Sequence, residues 1–118
     1  MKKYIGVVFL GAVALSSAGV MASSNNCSGK KIYNCYGQNI HAYIYNGNDG
    51  SHGATHSDSN INSGTNYTYS CGHSNCDIKI EPVSGRYWWK NDTCEDIRVR
   101  RTSGSNAIPV IEPGSSCP

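Results

Sequence analysis

The sequence predicts an all-β fold: a small disulfide-stapled antiparallel β-sandwich or Greek-key barrel. After residue 22 the chain contains no Leu, Met or Phe, and its apolar side chains are mainly Ile, Val, Tyr and Trp. Branched and aromatic side chains fit a pleated sheet, whereas Leu and Met are among the strong helix formers. All six cysteines also follow residue 22. A domain of fewer than about 100 residues has a small core that such cross-links can supplement.

The first 22 residues have the features of a cleaved export signal. A pair of lysines precedes the uncharged apolar run from Ile5 to Leu15, and small residues lead to Ala22. The apolar run is shorter than the roughly 20 residues with which a helix spans a membrane. We therefore expect residues 1–22 to be a signal peptide and residues 23–118 to be one secreted or periplasmic β-domain. We expect no transmembrane segment.

The first two predicted strands are residues 30–36 and 40–45. In the first, Ile32 lies between polar neighbours, and in the second three small or branched apolar residues alternate with larger ones. The opposite face of the second strand would present three side chains: His41, Tyr43 and Tyr45. Residues 50–64 are rich in Ser, Gly, Asn and His, which favours a surface loop.

Five further strands are predicted. They are residues 65–71, 76–81, 86–90, 95–101 and 108–111. The first of these carries two tyrosines on one face, and the second and fourth alternate Ile or Val with charged residues. The third is aromatic and precedes an Asn-Asp-Thr sequence that is typical of a turn. The last is expected at a sheet edge because Pro109 has no amide hydrogen to donate.

The cysteine spacing predicts one disulfide directly. Cys71 and Cys76 flank a four-residue turn between two predicted strands, and facing positions in such a hairpin lie within disulfide range. The other four cysteines leave three pairings open. Pairing of sequence neighbours closes the shortest loops and is favoured: Cys27 with Cys35, and Cys94 with Cys117. Zinc on these cysteines is disfavoured because the predicted compartment is oxidising.

Two adjacent tryptophans are the main candidates for a binding surface. In an extended strand, Trp88 shares a face with Arg86 and Lys90, and Trp89 points to the opposite face. Cations are costly to bury, so we expect Trp88 to be exposed and Trp89 to lie in the core. Exposed aromatic rings beside polar groups can contact sugar rings or a protein partner. The candidate binding residues are Trp88, Tyr43, Tyr45 and Arg86, with packing as their alternative role.

Two other groups of residues could form a metal site and an anion site, and for each the alternative is an ordinary solvated surface. His52, His56 and Asp58 could ligate zinc or copper, but the four-residue spacing converges only on a helix, and Gly53 favours a solvated loop. The arginines of residues 98–101 could bind an anion. Acidic residues alternate with these and other basic residues, so that cross-strand ion pairing on a solvated face is favoured. We expect no cofactor.

The charge and motifs narrow the function classes. Loss of Lys2 and Lys3 with the signal leaves eight Lys and Arg against eight Asp and Glu, which changes the formal net charge from +2 to 0. We therefore expect no nucleic-acid partner. No G-x-S-x-G or H-E-x-x-H motif occurs in the sequence. The favoured function is an exported non-enzymatic binding module for a glycan or protein surface, such as a secreted effector, toxin component or inhibitor. The alternatives are a small secreted hydrolase or nuclease that uses His, Arg or carboxylate residues, and a structural surface protein.

Overall fold

A computed structural model describes residues 26–47, 52–103 and 108–118 of the chain. The predicted signal peptide lies outside the described residues. In the described ranges the chain forms eight strands and no helix, which confirms the all-β prediction. The strands are β1 (Lys30–Cys35), β2 (Ile40–Asn46), β3 (Thr55–Ile61), β4 (Asn66–Tyr69), β5 (Cys76–Pro82), β6 (Trp88–Thr93), β7 (Ile97–Arg101) and β8 (Pro109–Pro113). Accordingly, no membrane-spanning helix is found in these ranges.

The strands form two four-stranded sheets. The first sheet has the order β4-β1-β7-β8 and the second has the order β3-β2-β5-β6. Strands β1 and β7 run parallel, with Ile32 opposite Ile97, and the other described pairings are antiparallel. Thus β6 and β8 are edge strands of different sheets.

The core is built mainly of branched side chains from both sheets, together with buried tyrosine and cystine residues. In the second sheet, the alternating isoleucines of β2 and β5 are almost completely buried, and Ile78 lies opposite Ile44. The first sheet contributes Ile32, Ile97 and Val99 to the same buried cluster. The period of two along each strand therefore places the polar and aromatic residues between these positions on the surface that faces away from the core.

Asn34 is a buried polar residue in this core. Its side-chain amide donates to the carbonyl oxygens of Gln38 at 2.8 Å and Ile61 at 2.9 Å. Its side-chain oxygen accepts from the Tyr36 amide at 2.9 Å. These bonds satisfy the buried amide and connect β1 to the following turn and to the end of β3.

Two sequence predictions of loops are wrong. Thr55–Ile61, within the predicted loop at residues 50–64, is strand β3 and pairs along its length with β2. Its polar composition fits an edge strand, in which Ile61 alone is fully buried. The strand forms because its backbone hydrogen-bonds to β2, and these bonds do not need apolar side chains. The predicted Asn-Asp-Thr turn lies inside β6, where the strand bulges and Asp92 has φ of 52°.

Three disulfides connect the six cysteines, and the Cys71–Cys76 prediction is confirmed. The other two predicted pairs are wrong. Cys27 is bonded to Cys94, and Cys35 is bonded to Cys117. Cys27 precedes β1 and Cys35 ends it, so that an extended strand of roughly 3.3 Å per residue separates them. The disulfide partners of Cys27 and Cys35 are therefore set by which strands pair in space, and not by which pairing closes the shortest loop.

Candidate functional site

The outward surface of the second sheet carries a cluster of aromatic residues around one lysine. Lys79 lies opposite Tyr43 of β2 on one side and Trp89 of β6 on the other. Directly opposite residues share a face of a sheet. The isoleucines on either side of Lys79 in β5 are fully buried, so these three side chains point away from the core. We call Tyr43, Tyr45, Lys79, Tyr87 and Trp89 the aromatic face.

The ammonium of Lys79 is at the centre of the aromatic face. Its Nζ lies 4.7 Å from the ring centroid of Tyr43, 5.2 Å from that of Tyr87 and 5.9 Å from that of Trp89. Each cation–π contact at an exposed site stabilises by about 0.5–1 kcal/mol. Together the contacts hold a flexible side chain in one region and keep the three rings around it.

A second set of contacts orders Trp89. The ring of Tyr45 lies 5.3 Å from the indole at a tilt of 49°. The imidazole of His52 stacks on Trp89 with a centroid distance of 3.6 Å and an angle of 7° between the planes. His52 Nε2 is also 3.1 Å from Asn91 Oδ1. One face of the indole is therefore covered by a residue from outside the β6 strand.

Hydrogen-bonding groups on β2, β3 and β5 border the aromatic face. The ring nitrogens of His41 contact Asn60 Oδ1 at 2.8 Å and Asp58 Oδ1 at 2.9 Å. The Tyr43 hydroxyl donates to Glu81 Oε1 at 2.9 Å. This hydrogen bond raises the pKa of Tyr43, because ionisation would remove the donor and place a second negative charge beside the carboxylate. The phenol is thus a neutral donor at physiological pH.

Two depressions adjoin the aromatic face, and both border Glu81 and Gly85. The first has a volume of about 410 Å³ and lies beside His41, Tyr43 and Asn60. The second has a volume of about 390 Å³, and its other lining residues are Arg86, Tyr87, Trp88 and Trp89. Both volumes fall in the range of roughly 300–1,000 Å³ that is typical of small-molecule sites.

The two tryptophans show why the sequence prediction for β6 is only partly right. Trp88 is 49% exposed and Trp89 is less exposed, as predicted. However, Trp88 lies opposite the buried Ile80, and Lys90 lies opposite the buried Ile78. The side chains expected to point outward are therefore on the core side, and Trp89 is on the outward side.

The position of β6 at a sheet edge explains this reversal. Strand β8 is the corresponding edge of the other sheet, and a groove of about 640 Å³ between them is lined by Trp88, Lys90 and Val110. At this open edge, a core-side residue still reaches solvent. A half-buried lysine can keep its charged end in water there, so the cationic neighbours do not identify the outward face.

The remaining predicted binding residues have different positions. Tyr43 and Tyr45 belong to the aromatic face, and Arg86 is exposed at the second depression. Sequence reasoning did not select Lys79, Tyr87 or Trp89 as binding residues. Alternation with buried isoleucines placed Lys79 outward, but its aromatic neighbours come from other parts of the sheet and are brought there by strand pairing.

The structure does not bring the three predicted metal ligands together. His52 stacks on Trp89, Asp58 contacts His41, and His56 is exposed in β3. In residues 26–47, 52–103 and 108–118, no group of three or more His, Cys, Asp or Glu side chains could hold a metal ion. The reason is that β3 is extended, whereas the four-residue spacing converges only on a helix.

Two of the three arginines of β7 form the cross-strand contacts that the sequence favours, and Arg101 lies over the Tyr36 ring instead. Arg98 Nε donates to Glu112 Oε2 at 2.7 Å, and Arg100 Nε donates to the same oxygen at 2.9 Å. The Glu112 carboxylate on β8 is their partner, rather than one of the acidic residues that alternate with the basic ones in sequence. These contacts place both cations on the first sheet, away from the aromatic face.

The aromatic face combines ring surfaces, one cation and a border of hydrogen-bonding groups. Rings can contact the apolar face of a ligand, and the polar groups can fix its orientation. These are properties of a binding surface. Comparison of the chain with protein-family models, curated proteins and solved structures gives no match.

Proposed function

We propose that this protein is an exported β-sandwich domain that binds a glycan on its aromatic face. The observation that carries the proposal is the group of three aromatic rings around Lys79, with Tyr45 packed on one of them, on the outward side of one sheet. The core of the domain is formed without these rings. Aromatic surface that is ordered but not part of the core is typical of interaction sites.

The chemistry of a sugar suits this surface. A pyranose ring has faces of C–H groups that can lie on an aromatic ring, and hydroxyl groups around its edge that need hydrogen-bond partners. The rings of Tyr87 and Trp89 provide the first kind of contact. The border formed by Asn60, Asp58 and Glu81 provides carbonyl and carboxylate oxygens, which can accept from sugar hydroxyls.

Export has two independent supports. Three disulfides are typical of extracellular proteins, because cytosolic thiols are kept reduced. Residues 1–22 have the basic, apolar and small-residue regions of a signal peptide. A glycan on a cell surface or in a matrix would be accessible to a protein in the compartments that these features favour.

The hydrolase alternative has less support from the histidines. A general base needs a ring nitrogen that can reach the proton it removes. Both nitrogens of His41 are engaged by Asn60 and Asp58, and the ring of His52 is stacked on Trp89. At these two histidines the arrangement therefore favours binding over hydrolysis.

The test is a comparison of two adjacent tryptophans. The oxidised domain, residues 23–118, is screened on a glycan array, and the glycans that bind are titrated by calorimetry. Trp89→Ala and Tyr87→Ala should each weaken binding by about tenfold or more, which corresponds to about 1.4 kcal/mol. Trp88→Ala removes the same ring from the next residue, on the opposite side of β6, but Trp88 also lines the second depression. Tyr33→Ala is therefore the control, because it removes an aromatic ring from β1 of the other sheet.

Thermal unfolding of each variant identifies a loss of binding that is only a loss of folding. Because Trp89 also packs against His52 and Tyr45, the more exposed Tyr87 gives a second variant with fewer packing contacts. The proposal is overturned if folded wild-type protein binds no glycan. It is also overturned if Trp88→Ala abolishes binding while the Tyr87 and Trp89 variants retain it.

A further inference from the structure

We infer that the glycan is acidic and that the Lys79 ammonium binds its carboxylate or sulfate group. This inference rests on the proposed function and adds the chemical class of the ligand. It depends on the position of a cation at the centre of the aromatic face and on the engagement of nearby acidic groups elsewhere.

The charge of Lys79 is not neutralised by an ion pair among the described residues. No carboxylate in that part of the chain lies within 4.0 Å of its Nζ, whereas Arg98 and Arg100 share the Glu112 carboxylate. The rings hold the ammonium by their faces. A cation–π contact orders a cation without cancelling its charge, and the ammonium has three hydrogens to donate.

The acidic residues on the same side of the sheet each have another partner. Glu81 accepts from the Tyr43 hydroxyl, and Asp58 contacts His41. The Asp77 carboxylate is fully buried and accepts from the Asp92 amide. Their present contacts therefore leave Lys79 as a cation that can bind an anionic group of a ligand.

The geometry also explains why a sugar rather than a free anion would bind. One isolated surface lysine gives only weak attraction in water, because the solvent screens its charge. Here the same lysine is surrounded by Tyr43, Tyr87 and Trp89, which can contact a sugar ring next to the charged group. Arg86, exposed at the adjoining depression, adds a second positive charge to that region.

The experiment measures preference within matched pairs of sugars. The probes are lactose, sialyllactose and sulfated lactose, which differ in the presence and kind of the anionic group. Calorimetry on the oxidised domain should show that at least one acidic probe binds about tenfold or more tightly than lactose. Added salt should weaken the binding of the acidic probe and leave the binding of lactose nearly unchanged, because salt screens charge–charge attraction.

Comparison of the wild-type protein with three variants tests whether Lys79 causes the preference for the acidic probe. Lys79→Met should reduce the affinity for the acidic probe to the level of lactose, whereas Lys79→Arg should retain a preference because it keeps the charge. Lys90→Met is the matched control: it removes the same charge from the neighbouring strand, on the opposite side of the sheet. It should bind like the wild-type protein, and all variants are checked by thermal unfolding.

The possible failures are distinguishable. Equal binding of lactose and both acidic probes by the wild-type protein overturns the inference and leaves glycan binding intact. An equal loss for acidic and neutral probes in Lys79→Met overturns it as well, because the lysine would then only hold the rings. If Lys90→Met also lost the preference for the acidic probe, the net charge of the protein, rather than the position of Lys79, would be the cause, and the inference would be overturned. Absence of binding to any glycan on the array overturns the proposed function itself.

Discussion

The imidazole of His52 stacks on the indole of Trp89, with ring centroids 3.6 Å apart and planes within 7° of parallel. The backbone of His52 has φ of 45°, in the left-handed region that residues with a side chain seldom adopt. The stack and the contact with Asn91 thus accompany a costly backbone conformation. This relationship connects the segment before β3 to the edge strand β6, and it orders one tryptophan of the aromatic face.

The stack predicts an unusual order of stability for two substitutions. His52→Ala should lower the free energy of unfolding by about 0.5–1.5 kcal/mol, because the aromatic contact is lost and the backbone remains strained. His52→Gly should be less destabilising than His52→Ala. Relief of about 1–2 kcal/mol of left-handed strain exceeds the roughly 0.4–1 kcal/mol cost of glycine flexibility in the unfolded state. Urea unfolding measures the free energy of unfolding of both variants. A glycine variant that is no more stable than the alanine variant would contradict the prediction.

Asp77 predicts a difference between loss of an acceptor and loss of a charge. Its Oδ1 accepts from the Asp92 amide at 2.9 Å, at the bulge where Asp92 has positive φ. Asp77→Ala should destabilise the fold by about 1–3 kcal/mol, since the Asp92 amide loses its acceptor at a partly buried site. Asp77→Asn keeps an acceptor and removes a buried charge, so it should be clearly more stable than Asp77→Ala in denaturant unfolding near pH 7. Equal losses would show that the charge, rather than the acceptor, is required.

The Glu112 site predicts a specific loss of stability in acid. Hydrogen bonds from Arg100 and Arg98 hold the pKa of the Glu112 carboxyl below its ordinary value of 4.5. Because the folded-state pKa is the lower one, this stabilisation is complete above the unfolded-state pKa. It disappears as the pH falls through the folded-state pKa. Wild-type stability should therefore fall more steeply below about pH 4.5 than that of Glu112→Gln.

The measurement for Glu112 is the free energy of unfolding from pH 7 to pH 2. The wild-type protein should be more stable than Glu112→Gln at pH 7, and the difference should shrink toward zero in acid. Glu95→Gln is the control, because its side chain makes no ion pair among the described residues. Parallel pH curves for the wild-type protein and Glu112→Gln would contradict the prediction.

The Cys35–Cys117 disulfide predicts a large stabilisation from a bond at the surface. The two residues are separated by 82 positions, and Cys117 is exposed. Because the Cys27–Cys94 bond already joins the chain near both cysteines, the loop that Cys35–Cys117 closes is much shorter than its sequence separation, and the chain-entropy relation gives roughly 3–4 kcal/mol. Cys35→Ala/Cys117→Ala should therefore be strongly destabilised in urea, although little core packing is removed. A change of less than about 1 kcal/mol, or a peptide map with another pairing, would contradict the prediction.

The sequence by itself determined the fold class and the local features. The absence of Leu and Met after residue 22, together with Ile at alternate positions, predicts strands, since a period of two buries one face of each strand. The same alternation places Lys79 outward, and sets Tyr43 on the face opposite the isoleucines of its own strand, without knowledge of any partner strand. The Cys71–Cys76 disulfide also follows from sequence, because the turn that separates them is only four residues long.

Only the tertiary structure decided which distant residues meet. The disulfide partners of Cys27 and Cys35 depend on the pairing of β1 with β7 and on the path of the chain after β8. The outward side of β6 depends on its place at a sheet edge, where a core-side residue such as Trp88 remains exposed. Residue type and alternation carry no information on these positions, because strand order brings together residues that are far apart in sequence. The aromatic face around Lys79 is a result of that order.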